Sequence, residues 1–134
     1  MTTFKNADEA NDYIGGIFAA GFAHPKLSAT LARSGLIMRM NLSEPDTVIT
    51  ADLIAGELAF GQAAPEPNMT LTLTSETANR FWQGKVSLPL AIARGQIKLS
   101  GELPRLVALL PSAKSMNAAY IERLEADGRE DLLA

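Results

Sequence analysis

The segment FWQGKVSLPLAIARGQIKLSGEL, residues 81–103, consists of two unlike parts that meet at Gly95. From Gly95 to Gly101 polar and apolar residues alternate, which is typical of a strand with one buried face. From Val86 to Ala93 the chain is almost wholly apolar, contains a proline and follows neither the strand period nor the helix period. We therefore expect a strand preceded by an irregular apolar connection. A connection exposed to water is usually polar, so this one is expected to cover an apolar space.

The composition is that of a globular protein without metal or disulfide chemistry. The 134 residues are 47% hydrophobic and 20% charged, which suits one domain with a sizeable core. The net charge of −3 gives no broad basic surface for nucleic acid. There is no cysteine and only one histidine, His24, so thiolate ligands and histidine clusters are excluded. We expect neither a cofactor nor a metal.

The two ends of the sequence lack recognisable targeting signals. Residues 1–13, MTTFKNADEANDY, are polar and acidic, unlike a signal peptide. No apolar run approaches the roughly 18 residues that a membrane-spanning helix needs. The final residues, EDLLA, form no known address. These features predict a cytoplasmic protein without stable membrane insertion.

Hydrophobic periodicity divides the chain into three parts of a single domain spanning residues 1–134. The first part, 5–34, has helical spacing, and the second, 36–101, mostly alternates with a period of two. Strands are predicted at 36–43, 47–53, 57–61, 69–74 and 95–101. The third part, 104–127, returns to helical spacing. The order of helices, strands, a helix, a strand and helices predicts an α+β fold.

Single residues set the expected helix boundaries in the second half of the chain. Ser75 is suited to cap a short helix that ends at Gly84. Pro104 suits the first turn of a later helix, and Pro111 is expected to break that helix in two. The glycines of the first helix are expected to let another element pack closely.

Few residues could support catalysis. His24 lies at a helix junction, where a histidine more often caps a helix or faces solvent than acts as a base. Asp52 and Glu57 flank a predicted turn, where two carboxylates are usually solvated, although such a pair could act as a general base. No P-loop, nucleophile elbow or zinc-protease motif is present.

Three arginines offer a second, weaker possibility. Arg39 lies on the strand face opposite the methionines, and Arg33 and Arg94 lie beside or near a glycine. They are either solvated charges or a pair that holds an acidic head group. Gly84-Lys85 is a poor phosphate site, because the glycine ends a helix rather than beginning one.

The most distinctive feature is the number of large apolar side chains. The candidates for a ligand-binding lining are Phe18, Phe22, Met38, Met40, Phe81, Trp82, Leu88, Leu90, Ile92, Leu106, Leu109, Leu110 and Met116. They form either a well-filled core, in which methionine fills gaps, or the wall of a cavity. A cavity of about 300–1,000 Å³ would accommodate a lipid tail or a sterol.

The order of motifs from Met69 to Leu110 resembles the sterol carrier protein 2 (SCP2) family. A Thr/Leu strand, MTLTLT, is followed by the capped helix SETANRFWQGK, an apolar connection, RGQIKLSGEL and a leucine-rich helix. The family motif Gly-x-Leu/Ile-Lys-Leu/Ile-x-Gly is matched by Gly95, Ile97, Lys98, Leu99 and Gly101. Leu88-Pro89-Leu90 is more apolar than the corresponding family segment.

This resemblance implies a five-stranded, mostly antiparallel sheet covered on one face by helices, with a hydrophobic tunnel. Members of the family bind fatty acyl chains, sterols and related lipids without catalysis, and they occur alone or attached to enzymes. The missing peroxisomal signal fits a free-standing, bacterial-type member. No catalytic residue is implied.

We therefore expect a carrier that binds a fatty acyl, sterol or isoprenoid lipid, and a partner enzyme that receives it. Phe81, Trp82, Leu88, Leu90 and Ile92 are expected to line or gate the tunnel. We expect the C-terminal side to be closed by Leu106, Leu109, Leu110 and Met116. One alternative is an interaction module, such as a homodimer, whose pocket is filled by its own side chains. Another is a small isomerase-like α+β enzyme that uses Asp52 or Glu57 as its base.

Overall fold

The computed structural model describes residues 3–61 and 65–134. In chain order the helices and strands are α1 (Ala7–Ala23), α2 (Pro25–Arg33), β1 (Ile37–Ser43), β2 (Thr47–Asp52), β3 (Glu57–Phe60), β4 (Met69–Thr74), α3 (Ser75–Phe81), α4 (Leu88–Ala93), β5 (Lys98–Ser100) and α5 (Leu103–Ala126). The predicted α+β fold is confirmed. No helix within the described ranges is long and apolar enough to cross a membrane.

The five strands form one sheet in the order β3-β2-β1-β4-β5. The β1 and β4 strands are parallel, and all other neighbours are antiparallel. Alternate residues of β1 and β4 are buried on one face. The register pairs Met38 with Met69, Met40 with Leu71 and Leu42 with Leu73. A row of methionine and leucine side chains therefore runs along the centre of the sheet, on the side that the helices cover.

Helix α1 lies against β2, β3 and α5. Its buried residues include Ala10, Ile14 and Phe18, spaced by four, so that one stripe of the helix faces the core. The Asn6 Oδ1 atom accepts a hydrogen bond from the Glu9 N–H at 2.9 Å and so caps the helix. Gly15 allows close packing, because a Cβ atom there would lie 3.2 Å from the Phe60 ring.

The segment expected to be an irregular connection contains a helix instead. Helix α4 has Pro89 in its first turn, where a missing N–H group costs nothing. It buries Leu88 and Ala91, which are three residues apart and share one face. Six residues are too few for a helical period to stand out in an apolar sequence. The following strand, β5, has only three residues.

Two helix boundaries predicted from single residues are wrong. Helix α5 continues through Pro111, because its buried stripe of Leu106, Leu109 and Met116 packs on both sides of the proline. The local cost of a helix-interior proline is thus offset by tertiary packing. Helix α3 is capped by Thr74, whose Oγ1 accepts from the Thr77 N–H at 3.1 Å, rather than by Ser75.

The C-terminal segment packs back onto α3 through a buried polar network. The Leu132 carbonyl oxygen accepts from Asn79 Nδ2 and from Gln83 Nε2, both at 2.8 Å. The Tyr120 hydroxyl donates to Asn79 Oδ1 at 2.6 Å. Asn79, Gln83, Tyr120 and Leu132 are all buried. This network joins α3, α5 and the C-terminal segment, and every polar group in it has a partner.

Candidate functional site

A narrow apolar cavity lies between the helices and the sheet. Its volume is about 30 Å³. Its lining comprises Phe18, Leu31, Met38, Leu53, Leu71, Phe81, Trp82, Leu106, Leu109, Leu110, Ala113 and Met116. None of these side chains is charged, so the cavity suits an alkyl group and no ionised one.

The α5 helix forms one side of the cavity, because its lining residues recur at helical intervals. Leu106, Leu109, Leu110, Ala113 and Met116 follow one another at intervals of three, one, three and three residues. These intervals place all five on one face of the helix. Each side chain therefore projects towards the same space.

Three aromatic rings form another side of the cavity. The Phe18 and Trp82 rings meet edge to face with centroids 5.1 Å apart, and Phe81 meets Trp82 in the same way at 5.1 Å. Edge-to-face pairs of this kind add roughly 0.5–1.5 kcal/mol beyond area burial. The aromatic side is therefore expected to be more rigid than the side formed by α5.

A second space, the interhelical groove, lies between α1 and the C-terminal half of α5. Its volume is about 250 Å³, and its lining is mainly apolar, with Tyr13 and Arg123 among the exceptions. Met116 lines both the groove and the cavity, so its side chain lies between the two spaces. A Cβ atom on Gly21 would lie 3.5 Å from Met116 Cε, an ordinary contact distance, so the methyl end of Met116 lies against α1 at this glycine.

Burial raises the pKa of both tyrosines that line the groove. For Tyr120 burial is the main cause, and for Tyr13 a hydrogen bond from its hydroxyl to Asp127 at 2.9 Å adds to burial. Both phenols therefore stay neutral at physiological pH. The guanidinium of Arg123 lies 4.3 Å from the Tyr13 ring centroid and donates to the Asp12 carbonyl oxygen at 2.9 Å.

Most of the candidate lining residues are brought together at the cavity. Those that line it are Phe18, Met38, Phe81, Trp82, Leu106, Leu109, Leu110 and Met116. The other candidates lie elsewhere. Met40 and Leu88 are buried in the core, and Phe22 and Ile92 are half-buried against it. Leu90 is 47% exposed. Leu88, Leu90 and Ile92 are therefore not among the residues that line this cavity.

The sequence reasoning missed four lining residues, namely Leu31, Leu53, Leu71 and Ala113. Leu71 lies on the buried face of the Thr/Leu strand, and Ala113 lies three residues before Met116. Strand alternation and helix spacing could therefore have identified these two. Nothing in the local pattern distinguishes Leu31 or Leu53 from other core leucines.

The polar candidates have structural partners away from the cavity. The His24 Nδ1 atom accepts from the Leu27 N–H at 3.3 Å and caps α2. Asp52 Oδ1 accepts from the N–H groups of Ile54 and Ala55, at 3.0 and 2.9 Å, and so stabilises a turn. Neither Asp52 nor Glu57 lines the cavity. The isomerase-like alternative therefore has no base beside the apolar space.

The three arginine candidates are not gathered into one site. Arg39 Nε donates to Thr50 Oγ1 at 3.1 Å, and its Nη2 donates to the Pro65 carbonyl oxygen at 3.0 Å. Arg33 Nη2 donates to Thr30 Oγ1 at 3.4 Å. Arg94 lines a separate groove beside α3 and α4. A head-group site formed by a pair of these arginines is not supported.

Comparison with solved structures identifies proteins of the same fold. The sterol carrier protein domain 2 of Helicoverpa armigera aligns with a TM-score of 0.65 and 14% identity, over 80% of this chain and 87% of that chain. Sterol carrier protein 2 from Yarrowia lipolytica, in its apo form, has a TM-score of 0.61 and 16% identity, over 76% and 87%. Sterol carrier protein 2 from Aedes aegypti, in complex with the C16 fatty acid palmitate, has a TM-score of 0.57 and 14% identity, over 78% and 94%.

No family model and no curated protein matches the sequence. At 14–16% identity, the structural likeness is evidence about the fold. It agrees with the five-stranded sheet and with the order of motifs from Met69 to Leu110. The chain has the fold of the sterol carrier protein 2 domain.

Proposed function

We propose that this chain binds a single-chain lipid, such as a fatty acid, in the apolar cavity and carries it without chemical conversion. The supporting observation is the lining, in which all twelve residues are apolar or aromatic. Each buried CH₂ group contributes roughly 0.8 kcal/mol, so a dozen contribute on the order of 10 kcal/mol before ordering costs. The structural neighbour in complex with palmitate supports the same class of ligand.

The shape of the cavity favours a flexible chain over a rigid sterol ring. A volume of about 30 Å³ is far below the roughly 300–1,000 Å³ of ordinary ligand pockets, so binding requires the cavity to widen. Met116 separates this cavity from the 250 Å³ interhelical groove. Because methionine has several soft rotamers, its movement would join the two spaces into one channel.

A titration with a fluorescent fatty acid, combined with native mass spectrometry, tests the proposal. We expect saturable binding of one fatty acid per chain and displacement of the probe by palmitate. The absence of saturable uptake, in protein freed of co-purified lipid, would contradict the proposal.

Three alanines of α5 provide matched variants of this experiment. Ala113 lines the cavity, Ala119 lines the groove, and Ala108 is exposed and lines neither. Ala113→Phe is expected to weaken binding about tenfold or more, the loss of roughly 1.4 kcal/mol of contacts. Ala108→Phe should bind as the parent does. Ala119→Phe weakens binding if the chain extends into the groove.

Circular dichroism establishes that each variant is folded before its affinity is interpreted. Should Ala113→Phe not fold, Met116→Phe fills the boundary between the two spaces and serves the same purpose. Equal affinities for the folded cavity variant and the Ala108→Phe control would place the ligand elsewhere.

The second candidate function is an interaction module whose cavity is filled by its own side chains. The small cavity volume and the exposed apolar side chains Leu90 and Val107 favour it. Light scattering distinguishes the two candidates, since a dimer that takes up no fatty acid supports the interaction module. Under the carrier hypothesis, a partner enzyme would use the lipid, because the cavity itself offers no reactive group.

A further inference from the structure

The charges of this protein are unevenly distributed along its sequence. Residues 77–101 contain four cationic side chains, Arg80, Lys85, Arg94 and Lys98, and no acidic one. The remainder of the chain contains eight cationic and fifteen acidic side chains. One segment of 25 residues thus carries a net charge of +4, while the rest carries −7.

Helices α3 and α4 bring three of these cations together at one surface. Arg80, Lys85 and Arg94 line an open, mainly polar groove of about 370 Å³, together with Ser87, Leu90 and the acidic Glu76. We name it the basic groove. It is separate from the apolar cavity, with which it shares no lining residue.

The cations of the basic groove have no acidic partner within residues 3–61 and 65–134. Arg105, Arg123 and Arg129 each form a salt bridge, whereas Arg80, Lys85 and Arg94 form none, including with Glu76. All three side chains belong to exposed residues. Their charge is therefore available to an external anion.

An exposed apolar side chain lies among these charges. Leu90 lines the basic groove and is 47% exposed, while Leu88 on the same short helix is buried. Pro89, between them, is also exposed. Segments that lie at a membrane interface combine Lys and Arg, which attract anionic lipids, with apolar side chains that enter the interface. A nucleic acid would bring a layer of phosphates against Leu90 and leave it without an apolar environment.

We propose that the face around the basic groove docks on a membrane that contains anionic lipids. Arg80, Lys85 and Arg94 contact the phosphate groups of the lipids, and Leu90 enters the boundary between head groups and acyl chains. The acidic remainder of the chain is repelled by the same surface, which selects this face for contact. The proposal does not depend on lipid binding in the cavity.

Sedimentation with lipid vesicles tests the proposal on the full chain without added fatty acid. We expect binding to vesicles of phosphatidylcholine mixed with phosphatidylglycerol and little binding to phosphatidylcholine alone. Binding should weaken as sodium chloride is added, because salt screens charges at the surface. Equal binding to both kinds of vesicle would overturn the proposal.

Two triple variants with the same change of net charge locate the docking face. Replacing Arg80, Lys85 and Arg94 by glutamine is expected to weaken vesicle binding about fivefold per residue, and on the order of a hundredfold in total. Replacing Lys5, Lys26 and Lys114 by glutamine removes three exposed cations elsewhere and should have little effect. Equal losses in both variants would show that net charge, rather than this face, governs binding.

Further measurements distinguish membrane docking from purely electrostatic binding and from a site for a small anion. Leu90→Gln should weaken binding severalfold even in salt that screens the charges. Circular dichroism establishes that the Arg80, Lys85 and Arg94 variant is folded, and its fatty-acid uptake should equal that of the parent protein. Calorimetric binding of glycerol phosphate or inorganic phosphate, without vesicle binding, would identify a small-anion site and overturn membrane docking.

Discussion

The two halves of α5 are held in different ways. The C-terminal half is tied to α3 by the Tyr120–Asn79 hydrogen bond and to α1 by the salt bridge of Arg123 with Asp12 at 3.0 Å. The N-terminal half lies over the apolar cavity through leucine contacts, and its one salt bridge, Arg105 with Glu102, is local and exposed. Apolar contacts lack the directionality of hydrogen bonds, so we expect the N-terminal half to move when the cavity widens.

Pro111 lies close to the junction of these two halves. It has no N–H group, so the Val107 carbonyl oxygen lacks its usual partner within the helix. A helix with a missing bond bends there more easily than elsewhere. Anchoring at one end, apolar contact at the other and a proline between them would let one half of α5 move while the other stays in place.

The largest expected effect on stability comes from replacing Asn79, which holds the C-terminal half of α5 against α3. Asn79→Ala leaves the buried Tyr120 hydroxyl without its acceptor and removes one of the two donors to the Leu132 carbonyl oxygen. We expect the free energy of unfolding to fall by about 3 kcal/mol, measured by urea denaturation. Gln96→Ala, at an exposed position, is the control and should cost under about 0.5 kcal/mol. A loss below about 1 kcal/mol for Asn79→Ala would mean that the network does not anchor α5.

The second largest loss of stability is expected in the N-terminal half of α5, which lies over the cavity. Leu109→Ala enlarges an existing space, so we expect a loss of about 2 kcal/mol, at the low end for buried leucine. Because a larger cavity admits a chain more readily, excess palmitate should raise the melting temperature of this variant more than that of the parent protein. An equal or smaller rise would indicate that the ligand does not lie beside Leu109.

Alkaline pH should destabilise the protein through Tyr120, a residue of the anchored half. The folded-state pKa of Tyr120 is raised by burial, so the unfolded chain releases its proton first, near pH 10. Above that pH the free energy of unfolding falls, by up to about 1.4 kcal/mol per pH unit for this group. Tyr120→Phe should be about 1 kcal/mol less stable at pH 7 and show a shallower decline above pH 10. If the free energies of unfolding of Tyr120→Phe and of the parent protein decline in parallel above pH 10, Tyr120 does not cause the decline.

The smallest effect is expected at the exposed end of α5. Arg105→Ala removes an ion pair whose side chains are 51% and 72% exposed, so the cost should be under about 0.5 kcal/mol. Arg123→Ala removes a hydrogen bond to the Asp12 carbonyl oxygen as well as an ion pair, and about 1 kcal/mol is expected. If thermal unfolding shows equal losses, the two ends of α5 are not held differently in the way described.

The fold could be predicted from the sequence where burial repeats along one element. Alternation in β1 and β4 identified the sheet face that carries Met38 and Leu71, and the order of motifs indicated the architecture. Local rules failed where tertiary packing overrides them, as at Pro111. The α4 helix was missed because six apolar residues offer too little pattern.

The candidate site was predictable only in part. The bulky residues of α3 and α5 were found, because helix spacing places them on one face. Leu90 was misplaced, since an apolar residue in a six-residue helix can face either the core or solvent. The network around Asn79 escaped notice because its partners lie 41 and 53 residues away in the chain. Such long-range pairing leaves no periodic signal.

The uneven placement of charge has a consequence before any contact is made. Separate positive and negative regions give a molecule a permanent electric dipole, and the field near a charged surface turns such a molecule as it approaches. The orientation of first encounter is thus set at a distance, and fewer collisions are unproductive. A simple sign of this would be retention on a cation-exchange matrix at pH 7, although the chain carries a net charge of −3.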